Sequence, residues 1–511
     1  METLCGGALM KRRVFLRASA GAALGLGELA FLSKLSPVSA AEARVDRNIV
    51  RFDPSIEPLV RLIEDTPRER LLEEIASQIQ KGVSYRETLA ALLLAGIRNV
   101  EPRPSVGFKF HAVLVVHSAH LVAQGSPEAE RWLPLFWALD HFKGSQAADV
   151  REGDWTMRAA PPNGVPPAPR AAAAWSDAMD RWDETDADAA AAGLARSLGP
   201  EDVFEILVPY AVRDLRSIGH KAIYVANGWR TLETIGWQHA EPVLRSLAYA
   251  LNAREGSDPL KGDDRADRPW RRNLERAGRV RAEWQSGKID SGATAELLAV
   301  SREGNEDETS ERVVALLNRG ISPDSIWDGL LCGAAELLMR SPGILTLHAV
   351  TTTNAIRYLY ERSRRSGTRL LLLLQNAAFL PFYRTWRRGD GSSGERIDAL
   401  APADFSTPRE KAVDAILAEI GRDNGAAARQ VLAYLGQNGN ARELLDAANR
   451  LVFLKGNDSH DYKLSAAVLE DYFRLSPPWR DRYLAASVFW LNGSGAPENE
   501  LVHRARRALV G

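Results

Sequence analysis

Nine histidines lie along the 511-residue chain, and four of them sit at matched places. Phe110-His111-Ala112-Val113 is echoed by Leu347-His348-Ala349-Val350. His220 and His460 each come before an aromatic-rich helical stretch that leads to a tryptophan, Trp237 and Trp479. His111 and His220 are separated by nearly the same length of chain as His348 and His460. One histidine alone is more often an ordinary core or surface residue than a ligand. Two matched pairs can meet around one point, and helical bundles build metal sites from inward side chains on facing helices. Neutral imidazoles suit iron, zinc, copper and nickel, so the ligand type leaves the metal open.

Lys463 follows His460 by three residues, a spacing that shares a helix face, whereas the matching position after His220 is Ile223. An ammonium cannot ligate. Lys463 joins a metal only as a desolvated neutral amine, or carboxylated so that it ends in acidic oxygens. The other reading is a lysine at a helix start, facing solvent or paired with Asp461. His117 and His120 also share a face, close to His111, and Asn354 occupies the matching position to His117. Both are candidate catalytic residues, as acid or base or as partners that orient a ligand or substrate. His239, near Trp229 and Trp237, either lines an aromatic pocket or caps a packed helix; His141 and His503 read as surface residues.

The elements that must carry these side chains are helices. Apolar residues recur at helical spacing in Arg68–Lys81, Glu87–Ile97, Glu205–Arg216, Glu311–Arg319 and Arg442–Lys455, and alternating strand patterns are scarce. Loops are expected over Ala159–Ala174, Gly256–Arg272 and Arg387–Arg396. The repeat extends beyond the histidines: Ala91–Ile97 resembles Gly329–Ala335, and the apolar run from Arg131 parallels that from Arg369. The expectation is an all-α fold of two similar halves, 41–260 and 280–511, packed as one unit about a pseudo-twofold axis after an internal duplication.

These histidine blocks, with the late His460-x-x-Lys463, resemble the questin oxidase-like family in order and spacing over most of the chain. The resemblance implies a mononuclear non-haem iron oxygenase that opens anthraquinone-like rings with O2. On this chain the implied ligands are His111, His220, His348 and His460, with carboxylated Lys463 as the oxygen donor. Nothing in the sequence itself points to an anthraquinone. Two other classes stay open on the same residues: a zinc- or manganese-dependent hydrolase, and a non-enzymatic helical-repeat protein with core histidines.

The first 40 residues read as a twin-arginine export signal. Lys11-Arg12-Arg13-Val14-Phe15-Leu16-Arg17 is followed by a short, weak apolar stretch and the cleavage motif Val38-Ser39-Ala40. The expected address is the periplasm or another exported location, reached folded through the twin-arginine machinery. Residues 1–40 hold five basic and two acidic side chains, so their removal takes the net charge from −1 to −4. No basic stripe argues for nucleic acid, no run is long enough for a permanent membrane span, and Cys332 alone remains, without a disulfide partner. Nucleophile-elbow, phosphate-loop, His-Glu-x-x-His and haem-attachment motifs are absent from the sequence.

Overall fold

Side chains at the helix starts set the boundaries. Ser84 accepts from the Glu87 amide while the Glu87 carboxylate accepts from the Ser84 amide, and this reciprocal cap opens the Tyr85–Asn99 helix. Asn305 and Asp458 do the same for Glu306–Asn318 and Ser459–Tyr472. Ser322 caps Pro323–Arg340, with proline at the first helical position, where its missing N–H costs nothing. The computed structural model describes residues 48–103, 108–161, 163–386, 394–456 and 458–510. The proposed signal, residues 1–40, lies outside them.

Among the described residues the fold is all-α, and the backbone forms isolated bridges but no strand. The expected helices are present as Arg68–Gln80, Tyr85–Asn99, Pro200–Val212, Glu306–Asn318 and Ala441–Lys455. Three expectations need correction, the first being the loop over 159–174, which ends early because Ala171–Asp180 is helical. The helix over 205–216 stops at Val212, where the chain turns to prepare His220. The loop over 256–272 ends early, because Arg268–Ala277 is helical with Pro269 in its first turn.

Helices of the first half have packing counterparts in the second. Tyr85–Asn99 lies on Glu57–Asp65, as Pro323–Arg340 lies on Ser291–Glu303. Val116–Gln124 packs on Leu133–Glu152, as Ile344–Arg362 packs on Ser366–Trp386. Glu184–Ser197 joins Ala171–Asp180 to Ala240–Asn252, as Asn424–Gly436 joins Arg409–Glu419 to Pro477–Ser487. In the middle the halves exchange partners: His220–Ile235 packs on Ile344–Arg362, and Ser459–Tyr472 packs on Val116–Gln124. Residues 50–511 form one compact unit with one continuous apolar core. No described helix is long and apolar enough to cross a membrane. Cys332 is a buried free thiol.

Candidate metal centre

The exchange of partners at the centre brings four helix starts together. His111 begins the short His111–Leu114 helix, His220 begins His220–Ile235, His460 is the second residue of Ser459–Tyr472, and His348 sits in the first turns of Ile344–Arg362. All four histidines are at least 97 % buried. His111, His348 and His460 each offer a ring nitrogen within 4.8 Å of the others'. His220 joins them through its Nε2, which is 2.9 Å from His348 Nε2. Lys463 is buried beside them, its Nζ 3.2 Å from the same His348 nitrogen. The structure thus groups His111, His348 and His460 where they could hold a cation, with His220 and Lys463 each touching that group through His348 Nε2.

Two of the rings have their orientation fixed from behind. His348 Nδ1 lies 2.6 Å from the Ile344 carbonyl, which can only accept, so Nδ1 carries the hydrogen and Nε2 turns its lone pair inward. His460 Nδ1 lies 2.7 Å from Asp458 Oδ1, which leaves His460 Nε2 facing the centre in the same way. A carboxylate or carbonyl behind an imidazole is the usual support for a metal-ligating histidine. Asp458 is also the helix cap, taking the His460 amide at 3.0 Å. Burial raises the Asp458 carboxyl, but the hydrogen bonds from His460 outweigh it and hold the group below the usual carboxylate range.

Burial works against positive charge in the cluster. Burial, and then the neighbouring Lys463 and histidines, push His111 and His348 well below the ordinary histidine range, so both are neutral. Burial lowers Lys463 to about 7, with Asp458 pulling weakly the other way. Two neutral imidazoles, His111 and His348, and a lysine lowered to about 7 sit beside His220 and His460, with Asp458 the carboxylate that touches the group from behind His460; a cation would satisfy these buried nitrogens.

His220 is placed by strain. Ser217 and Ile218 have φ of 54° and 46°, left-handed values that are costly for residues with a Cβ. Gly219 continues the turn at φ 87°, where a Cβ would collide with Thr352 Oγ1 and the Tyr383 hydroxyl. Tyr383 pins the turn by donating to the Ile218 carbonyl at 2.7 Å.

His117 and His120 lie outside this cluster. His117 is 8 % exposed, and neither ring nitrogen has a hydrogen-bond partner among the described residues. Burial, Arg230 and His120 depress it well below the ordinary histidine range. His120 is a ring away, 6.2 Å between centroids, with Nδ1 3.3 Å from the Tyr85 hydroxyl; burial and Arg131 lower it to about 4. His239 is buried, its nearest charges Asp53 and Arg86, and does not border the cavity that His117 lines. His503 is exposed, as expected. His141 is not a free surface residue: it stacks on Trp137 at 4.9 Å, and Trp137 stacks on Tyr462 at 4.0 Å.

That cavity is small, about 10 Å³, room for roughly one water, and Lys463, His117, Arg230 and Glu470 are among the residues that line it. Beside it Arg230 donates to Glu470 Oε2 at 2.6 Å, and Asn354 donates to the same oxygen at 3.0 Å. Neither Arg230 nor Glu470 was singled out from the sequence, although each stands ten residues after a paired histidine. Asp458 was legible too, as the first residue of a capping box.

No protein-family model, curated protein or solved structure matches the chain.

Proposed function

We propose that this protein is an exported metal-dependent oxygenase that oxidises an aromatic or related small molecule with O2, in line with its resemblance to the questin oxidase-like family. The observation that carries the reading is the convergence of three buried histidines from both halves, two of them held by oxygen acceptors behind the ring, with a fourth, His220, against His348. The residues present fit a transition-metal ion. His348 Nε2 and His220 Nε2 stand 2.9 Å apart. In this arrangement the His220 Nε2–H donates to His348 Nε2, and a cation bound there would take the place of that proton. We assign His111, His220, His348 and His460 as nitrogen ligands and Lys463 as the fifth donor, either as a neutral amine or carboxylated. Iron(II) in this set would supply O2 activation.

The chain's own residues do the rest. Asp458 and the Ile344 carbonyl aim two ligands and fix their tautomers. The apolar core around the helix starts keeps water out. His117, neutral and without a hydrogen-bond partner among the described residues, is placed to exchange a hydrogen bond in the adjoining cavity. The matched packings of the two halves support an internal duplication with a pseudo-twofold axis through the centre. Folding in the cytoplasm before export would let the cell load the metal first, which agrees with a twin-arginine signal.

Metal analysis of protein purified from its native export route tests the reading. About one iron per chain is the expected result, with a mass increase of one carbon dioxide on Lys463 if the lysine is carboxylated. Stoichiometric zinc or manganese would favour hydrolysis on the same scaffold, and no metal at all would favour a helical-repeat binding protein. His348→Ala should abolish metal binding; full retention of metal would sink the site.

A further inference from the structure

His220 stands apart from the other three clustered histidines. The ring nitrogens of His111, His348 and His460 form one group, and His220 meets that group at His348 Nε2. It also follows the left-handed turn Ser217–Gly219, whereas His460 follows a capping box. Whatever fixes the two ends of the turn sets where the His220 imidazole stands.

One buried carboxylate holds both ends. On the entering side, Asp214 Oδ1 accepts from the Arg216 amide at 3.0 Å. On the leaving side, Asp214 Oδ2 accepts from Lys221 Nζ at 2.8 Å, and Lys221 is the residue directly after His220. Lys221 Nζ also donates to the Leu251 carbonyl at 3.0 Å, at the end of Ala240–Asn252, where helix carbonyls have no partner within the helix. Asp214 and Lys221 are each 2 % exposed, so water competes little for either bond. The entering segment is itself anchored: the Leu215 amide donates to the Ala266 carbonyl at 3.0 Å, and Arg216 pairs with Asp267 at 2.9 Å. Asp214 thus carries a fixed frame across the three left-handed residues to the first turn of the His220 helix.

A buried ion pair is a poor device for stability alone, because apolar side chains of similar volume often serve as well. Its particular contribution is direction: two oxygens of one carboxylate fix two points of the chain by charge-assisted hydrogen bonds. The other half has no such clasp. Leu454 stands six residues before His460, where Asp214 stands before His220, and Asp461, in the place of Lys221, serves the capping box. The clasp is found beside the strained turn and has no counterpart beside the capped one.

We propose, on the metal-centre reading, that the Asp214–Lys221 clasp determines whether His220 reaches the bound ion: with it the ion takes four histidines, without it only His111, His348 and His460. Asp214 and Lys221 are positioning residues that act through His220.

Cobalt(II), titrated into the full chain, is the probe, because its visible spectrum reports the donors around it. The decisive variant is the double substitution Asp214→Asn with Lys221→Met, which removes both charges at nearly constant volume. It should bind cobalt with a dissociation constant raised about tenfold, and its spectrum should match that of His220→Ala. Adding His220→Ala to the double variant should then change neither value. A wild-type spectrum and affinity in the double variant, even with a lower unfolding temperature, would show a merely structural pair and overturn the clasp. No cobalt in the wild type, or a wild-type spectrum in His220→Ala, overturns the ligand assignment instead. A crystal structure of the metal-free double variant then decides the clasp: His220 Nε2 displaced from His348 Nε2 supports it, and the 2.9 Å contact retained overturns it. Should the double variant fail to fold, Asp214→Asn alone, which keeps the shape of the side chain, takes its place in each measurement.

Discussion

His220 and His460 reach the same centre from equivalent helix starts, but by opposite local means. Before His220 the chain passes through three successive left-handed residues, Ser217, Ile218 and Gly219, held down by Tyr383 from the other half. Before His460 it uses a capping box, Asp458 with Asp461, which also supports the ligand ring. One start is costly alone and depends on a distant hydroxyl; the other is stabilising alone and sits within four residues of sequence. The early helices differ similarly. His111–Leu114 and Val116–Gln124 are separated at Val115, whereas Ile344–Arg362 runs unbroken through His348. Matched places in the sequence thus share a destination in the fold, and the backbone reaches it by different local routes.

Substitution at the residue just before each histidine should break this comparison most sharply. Gly219→Val forces a branched side chain into left-handed backbone and into Thr352 and Tyr383, at a cost of about 3 kcal/mol. Ser459→Ala, at the matching place, removes one hydroxyl bonded to Asp458 and should cost less than about 1 kcal/mol. Thermal unfolding of both variants checks the ratio; equal losses would show that the 217–219 turn is not strained. Asp458→Ala comes next. It should lower helix stability by about 1 kcal/mol and weaken metal binding by about 10- to 100-fold, read by competition with a chelator.

Acid should act through the neutral histidines of the metal-free protein. His111, His117 and His348 are depressed in the fold, and His120 lies at about 4, below the ordinary value of 6.5. The unfolded chain therefore binds more protons as pH falls below 6.5, and stability drops with it, by up to about 1.4 kcal/mol per pH unit for each such group. Chemical denaturation of apoprotein between pH 7 and 5 should show this fall, and stability independent of pH there would contradict neutral burial. A single lost hydrogen bond is the measure of Tyr383→Phe, which removes the hydroxyl from the Ile218 carbonyl and should cost about 1 kcal/mol. An accompanying loss of metal affinity would tie the strained turn directly to His220.

The sequence by itself determined the helical class, because apolar spacing and caps such as Ser84 with Glu87 act within a few residues. It also determined which histidines to watch, because His111 with His348 and His220 with His460 stand at matched places in the order of the chain. The tertiary structure decided the remainder. That His348 Nε2 faces His220 and Lys463 depends on helices from both halves crossing, and no local pattern encodes that contact. His141 read as a surface residue until Trp137 and Tyr462 stacked beside it. The left-handed turn at Ser217–Gly219, beyond the helix end at Val212, is held by Tyr383 and Thr352, far along the chain. Short-range energetics are written in neighbouring residues; burial, tautomer and strain are set by what folding brings alongside.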